Sequence, residues 1–223
     1  MSVLVTIDGV SGVFKTWIAE DIAKHLGWQY LSCGMIYRAI AFYGYTMYKE
    51  ALLAHSDDII KKIEEISIHG SSIGINHIQY NLSDLRGKEI GRLTTFFAQD
   101  IIVQNFIHDT IKKLVESEDY IVEGREMASV FPDAKLHFYF YATPEARISR
   151  HIEKNNIVVG SAEFSELCKN VRMIDEEDSK RGNNPLRIPD DAIVVDVGKF
   201  GFNHKQIFDY TVNTIIKQFN MSL

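Results

Sequence analysis

The stretch from Val3 to Thr16 constrains this chain more than any other. It opens with Val3-Leu-Val-Thr-Ile7, a short β-branched apolar run closed by Asp8-Gly9, which reads as a fully buried strand. A glycine-containing loop follows. From Thr16 to Leu26 the residues Ile18, Ile22 and Leu26 recur at helical spacing, and Gly27 stops the helix. Trp28 to Leu31 reads as a second short strand, and about Gly34 to Lys49 as the next helix. Strand, loop, helix and strand are the opening of a parallel α/β sheet.

The middle of the chain departs from that grammar. Asp57 to Ile66 is expected to be a short charged helix, and Ile66 to Tyr80 alternates and carries glycines, the pattern of a small antiparallel piece. Two helices are expected over Lys88 to Ala98 and Ile101 to Ser117. Parallel grammar then resumes with strands at Tyr120-Ile-Val122, Lys135 to Tyr141 and Asp191 to Asp196. A helix begins near Pro144 with Thr143 as its N-cap; residues 161–181 read as polar and helical, and His204 to Phe219 as the last helix. The expectation is one α/β domain with a parallel central sheet flanked by helices. Its core is placed at 1–56, 84–154 and 186–223, a small insert at about 57–83 and a helical lid at about 155–185.

Composition weighs against several function classes. The 223 residues carry 24 Lys plus Arg against 30 Asp plus Glu, a net charge of −6, the wrong sign for wrapping a nucleic acid or coating an anionic membrane. Two distant cysteines, Cys33 and Cys168, offer no disulfide framework or structural zinc site. No apolar run approaches the ~20 residues that span a bilayer. A cytoplasmic protein is expected, without a membrane or nucleic-acid polymer as partner.

Ligands of such a sheet bind beyond the carboxyl ends of its strands, so the loops after Ile7, Leu31 and Val122 matter most. The first reads Gly9-Val10-Ser11-Gly12-Val13-Phe14-Lys15-Thr16. It follows the phosphate-loop pattern, in which glycines let backbone N–H groups curl round phosphates, the lysine neutralises charge and the hydroxyl holds Mg²⁺. Phe14 stands where that pattern has glycine, and its phenyl group must either point elsewhere or block the pocket. The bland alternative is a βα turn that binds nothing. In the second loop Arg38 lies one turn inside a helix, within reach of a phosphate or simply solvated, while Cys33 reads as a small buried hydrophobe. In the third, Glu123 is placed to order a magnesium-bound water and Arg125 to hold a second phosphate; otherwise they are surface charges. The histidines form no HxxxH or HExxH set, so a metal hydrolase lacks its ligand residues. The aromatic stretch Tyr37 to Tyr48 reads as core packing.

Taken together and in order, the segments Val5-Thr-Ile-Asp-Gly9, Gly34-Met-Ile-Tyr-Arg38, Glu123-Gly-Arg-Glu-Met127, Phe131-Pro-Asp-Ala134 and Asp175-Glu-Glu-Asp178-Ser-Lys-Arg181 resemble bacterial cytidylate kinase, a nucleoside monophosphate kinase of the P-loop class. The resemblance implies transfer of a phosphoryl group from ATP, with Mg²⁺, to CMP or dCMP by a monomer. It implies that Gly9 to Thr16 cradle ATP phosphates, with Lys15 bridging to the transferred group, Thr16 and Glu123 serving Mg²⁺ (Glu123 through water), and Arg147 and Arg150 approaching ATP. Arg38 and Arg125 would bind the acceptor phosphate. Glu126, where the family has Asp, would accept from the cytosine amine, and Thr95 and Gln104 fall where the family has a Ser and an Arg reading the pyrimidine. Asp178 would hold the ribose and Arg181 reach in from the lid, so Lys15, Arg125 and Arg181 are the expected catalytic set. The departures are Phe14, Gln104, Ser32-Cys33-Gly34-Met35 for Asp-Ser-Gly-Ala, and Ile174 for a lid arginine with Arg172 two residues away. They leave two alternatives: a kinase for a different or modified phosphorylated acceptor, and a non-catalytic protein on a kinase scaffold.

Overall fold

The computed structural model describes residues 2–69, 72–81 and 83–221. In chain order its elements are β1 (Leu4–Gly9), α1 (Lys15–Leu26), β2 (Gln29–Ser32), α2 (Cys33–Tyr48), α3 (Ser56–Lys61), β3 (Ile66–His69), β4 (Ser72–Ile75), β5 (Ile78–Asn81), α4 (Lys88–Phe97), α5 (Ile101–Leu114), β6 (Tyr120–Glu123), α6 (Met127–Val130), β7 (Leu136–Tyr141), α7 (Pro144–Asn155), α8 (Ala162–Ser179), β8 (Ile193–Asp196) and α9 (His204–Phe219). The chain divides into two compact units, residues 1–31 with 118–223, and residues 32–117.

In the first unit the large sheet has five strands among the described residues, in the order β2-β6-β1-β7-β8. β1 runs parallel to β6 on one side and β7 on the other, and β7 parallel to β8. β1 is therefore central, which explains why Val5 and Ile7 are fully buried and why the strand reads as a continuous apolar run. The chain leaves β1 towards one flank and later builds the other, so the loop after Gly9 sits at the point where the strand order reverses, the usual ligand crevice of such sheets. Ile18 and Ile22 of α1 join Val5, Ile7, Phe138, Phe140, Ile207 and Ile215 in one hydrophobic core.

Helix ends follow their local codes. Gly27 closes α1 in the left-handed region at φ 70°. Thr143 accepts from the Ala146 N–H at 3.2 Å with Pro144 in the first turn, Ser161 from the Phe164 N–H at 3.1 Å, and Asn203 from the Gln206 N–H at 3.0 Å.

The second unit packs α2 with α4 and α3 with α5. At Gly44 a Cβ would stand 2.7 Å from Ile59 Cδ1, so a larger residue on α2 would make the tip of that α3 side chain shift. β3, β4 and β5 form the expected small antiparallel sheet. The expected helix over Asp57 to Ile66 is shorter: α3 ends at Lys61, because Ile66 begins β3 and pairs with Ile75. The expected Ile101 to Ser117 helix ends at Leu114. Tyr37 and Tyr43 are buried, as core packing requires. Among the described residues no helix is long and apolar enough to cross a membrane.

Candidate active site

The loop from Gly9 to Thr16 is shaped by its backbone. Gly9 has φ 144°, and a Cβ there would fall 2.0 Å from the Phe140 carbonyl oxygen, so no other residue fits. The next residue, Val10, donates its N–H to that same oxygen at 3.2 Å, which pins the loop to β7. Phe14 lies in the left-handed region at φ 65°, ψ 11°. That is the physical reason the pattern favours glycine here; a side chain costs about 1 kcal/mol in this conformation. The phenyl ring stacks on Trp17 with centroids 5.5 Å apart, meets Phe202 and His204 edge-on at 6.1 and 6.2 Å, and lies 3.8 Å beneath the Arg150 guanidinium carbon. Of the two outcomes its chemistry allowed, the ring takes the first: it packs among these four side chains.

Lys15, the next residue, turns inward. Its ammonium donates to the Val10 carbonyl at 2.6 Å and the side chain is 5% exposed. Burial, aided by the nearby Arg125, pushes its pKa down to about 7, against the pull of Glu123, Asp178 and Asp8. Thr16 donates its hydroxyl to Glu123 Oε1 at 3.3 Å, and the Tyr30 hydroxyl reaches the same oxygen at 3.4 Å. Two hard oxygen donors at the carboxyl end of β6 and the start of α1 suit Mg²⁺. Among the described residues no group of three or more His, Cys, Asp or Glu side chains could hold an ion alone.

Asp8, which closes the apolar run of β1, also organises the third loop. Its carboxylate accepts from the Met127 and Ala128 N–H groups at 2.9 and 2.8 Å, satisfying the first amides of α6. Burial raises its pKa to about 6 in spite of those two bonds.

Beyond α6 an arginine–carboxylate chain forms. Arg125 Nε donates to Asp178 Oδ2 at 2.8 Å, Arg181 Nη2 to Asp178 Oδ1 at 2.6 Å, and Arg181 Nη1 to Glu126 Oε2 at 3.3 Å. Burial by itself would raise the Asp178 carboxyl, but Arg125 and Arg181 outweigh it and hold the pKa below the ordinary value. Asp8, Arg125 and Glu126, with Arg187 and residues of the 185–191 loop, line a cavity of about 360 Å³. Arg147 donates to Ser11 of the phosphate loop and to Asp175 of α8. Arg150 Nη1 donates to the Gly12 carbonyl at 3.1 Å. Arg172 pairs with Glu145 on the surface at 3.7 Å.

The other expected residues lie in the second unit. Cys33 is buried at the start of α2. Arg38 donates to the Leu85 carbonyl at 2.8 Å, Thr95 to the Gly91 carbonyl of its own helix at 3.1 Å, and Gln104, 1% exposed, to the Ala98 carbonyl at 2.6 Å.

The sequence model of the family described as Cytidylate kinase matches residues 5–218. The chain belongs to the cytidylate kinase family. It is 32% identical over 204 residues to a cytidylate kinase of Thermodesulfovibrio yellowstonii, covering 89% of this chain and 92% of that one. It is 30% identical over 208 residues to a cytidylate kinase of Oleidesulfovibrio alaskensis, covering 87% and 90%. Among solved structures, a shikimate kinase from Bacteroides thetaiotaomicron aligns over 98% of this chain and 99% of its own at 10% identity, with a TM-score of 0.45. Three further residues shape the site beyond those that the sequence singled out: Asp8, Tyr30 and Asp175. Asp8 had a usable signal, an acid ending a fully buried strand. Tyr30 had none, since its partner Glu123 is distant in sequence, and Asp175 stood only as the first residue of the Asp175 to Arg181 segment, with no sign of its pairing to Arg147.

Proposed function

We propose that the protein is an ATP- and Mg²⁺-dependent kinase that phosphorylates a pyrimidine nucleoside monophosphate, CMP or dCMP first. The observation that carries this reading is Lys15 and Thr16 at the end of the phosphate loop, against Glu123, in a chain that matches its family over residues 5–218.

In this reading an oxygen of the acceptor phosphate attacks the γ-phosphorus in line and ADP leaves, with no covalent enzyme intermediate. The loop amides and Lys15 bind the donor phosphates. Lys15 is buried with a depressed pKa, so an arriving polyphosphate supplies the counter-charge it lacks. Mg²⁺, held by the Thr16 hydroxyl and through water by Glu123, would neutralise charge on the transferred group. Arg125 and Arg181 exchange Asp178 and Glu126 for acceptor oxygens, and Glu126, Asp178 and the α8 region order base and ribose while excluding water. Cys33, Arg38, Thr95 and Gln104 enter as candidates for acceptor binding. The kinase is expected to be a cytoplasmic monomer with nucleotides as its partners.

A panel of ribo- and deoxyribonucleoside monophosphates with Mg·ATP, read as acceptor-dependent ADP formation with identification of the diphosphate, tests the reading. Turnover with CMP or dCMP as preferred acceptor is expected; no turnover across the panel would overturn it. A second acceptor class is favoured by one observation: the Gln104 amide is committed to the Ala98 carbonyl at 2.6 Å, where an arginine would present a charged fork. Preference for a non-cytosine monophosphate in the same panel would select it.

A further inference from the structure

Helix α8 carries Asp175 and Asp178 one turn apart, and each carboxylate receives arginine. Asp178 holds Arg125 and Arg181. Asp175 has a different partner: Arg147 donates from Nη1 to Oδ1 at 3.0 Å and from Nη2 to Oδ2, a two-pronged pair. The same guanidinium donates through Nε to the Ala142 carbonyl at 3.2 Å, and through Nη1 to the Ser11 carbonyl at 3.2 Å and Ser11 Oγ at 3.4 Å. Arg147 is 2% exposed. One buried cation thus ties together the end of β7, the phosphate loop and α8.

A loop that cradles phosphates must turn its N–H groups to the anion and its carbonyls away. Two consecutive carbonyls of this loop are occupied by arginines, Ser11 by Arg147 and Gly12 by Arg150. Arg147 spends its fork on protein oxygens, so a direct contact to a donor phosphate would require breaking this network. Its influence on the donor runs through Ser11. Asp175 neutralises and aligns that guanidinium; without it a buried charge would lose its counter-ion.

We propose that Asp175 is a positioning residue for the donor site: acting through Arg147, it holds the Ser11 carbonyl away from the anion and keeps the loop amides aimed at the donor phosphates. This rests on the kinase reading for its consequence, though not for its geometry. Arg147 belongs to the same device, as a strut of the donor site.

The test compares wild type with Asp175→Asn, Asp175→Glu and Glu145→Gln. The last breaks another ion pair between α7 and α8, Arg172 with Glu145, and leaves Arg147 untouched. Three readouts are taken: amide hydrogen exchange over residues 10–13, calorimetric Kd for Mg·ATP, and separate KM values for donor and acceptor. For Asp175→Asn, exchange in the loop is expected to quicken. Donor Kd and KM should rise about tenfold, the scale of a lost charged hydrogen bond, with acceptor KM within about twofold. Asp175→Glu, which keeps the charge, should fall between Asn and wild type, and Glu145→Gln should match wild type. If the Asn variant does not fold, the Glu variant is read the same way. Wild-type exchange and donor Kd in a folded Asp175 variant, or an equal effect from Glu145→Gln, would overturn the proposal. A wild type that binds no Mg·ATP would end the kinase reading instead, while the exchange comparison, which needs no nucleotide, would still decide this one.

Discussion

The phosphate loop and the arginine–carboxylate chain hold positive charge in opposite ways. Lys15 is buried against a carbonyl, and burial drags its pKa down to about 7. Arg125 and Arg181 are bonded to carboxylates, and Asp178 is held below its ordinary pKa by both of them. In the proposed kinase reading the first cation is stored at a cost in stability for an incoming anion, whereas the second pair is neutralised in advance and must trade partners when a phosphate arrives. On that reading the contrast separates a residue that the fold tolerates for function from residues on which the fold also depends.

The largest expected effect is on transfer. Lys15→Met, which keeps the length and removes the charge, should lower turnover by about a thousandfold or more and at neutral pH raise the thermal midpoint, because a buried cation is gone. A fall in midpoint would break the contrast at its first term. Asp178→Asn should do the reverse to stability, costing about 3 kcal/mol in a urea titration, since two partly buried arginines lose the buried carboxylate they share.

Titration sharpens the same comparison. Lys15, with its pKa lowered from 10.5 to about 7, sheds its proton in the folded chain before the unfolded one does. Its contribution to stability therefore rises with pH across that interval. Asp8, raised from 3.8 to about 6, behaves in the opposite sense: the folded chain holds the proton more tightly, so stability falls as pH climbs through that window. Urea midpoints against pH should show each slope vanish in Lys15→Met and Asp8→Asn respectively. Binding of Mg·ATP at about pH 8 should take up close to one proton as Lys15 recharges, measurable from calorimetry in buffers of different ionisation enthalpy.

The smallest effect concerns Phe14. Gly and Ala both remove the ring from Trp17 and Arg150, but only Gly also relieves the left-handed backbone at φ 65°. Phe14→Gly should therefore be more stable than Phe14→Ala by about 1 kcal/mol. Equal stability of the two variants would mean the loop can change conformation at that residue.

How far the sequence could be read follows the same division. The phosphate loop, the Thr143-Pro144 start of α7 and the Gly27 stop of α1 are written within a few residues, because backbone conformation and helix capping are local. The parallel direction of the strands was implied by the strand–helix alternation, but their order around β1 was not. The arginine chain was not readable as geometry: Arg125 meets Asp178 and Arg181 meets Glu126 across more than fifty residues. Family resemblance could point to those side chains individually but not to their pairing. Asp8 receives backbone N–H groups at still greater separation and Asp175 a guanidinium from the preceding helix, and a carboxylate gives no sign in sequence of which N–H groups it will receive. Phe14 shows the limit of pattern matching in the other direction. The pattern asks for glycine because of φ, and a phenylalanine that accepts that φ keeps the loop.

The most direct measurement is phosphorus NMR of CMP with Mg·ATP in the presence of the wild-type chain and of Lys15→Met. The account expects CDP and ADP to appear together with the wild type and neither with the variant. Equal formation of CDP by both proteins, or none by the wild type with any nucleoside monophosphate, would contradict it.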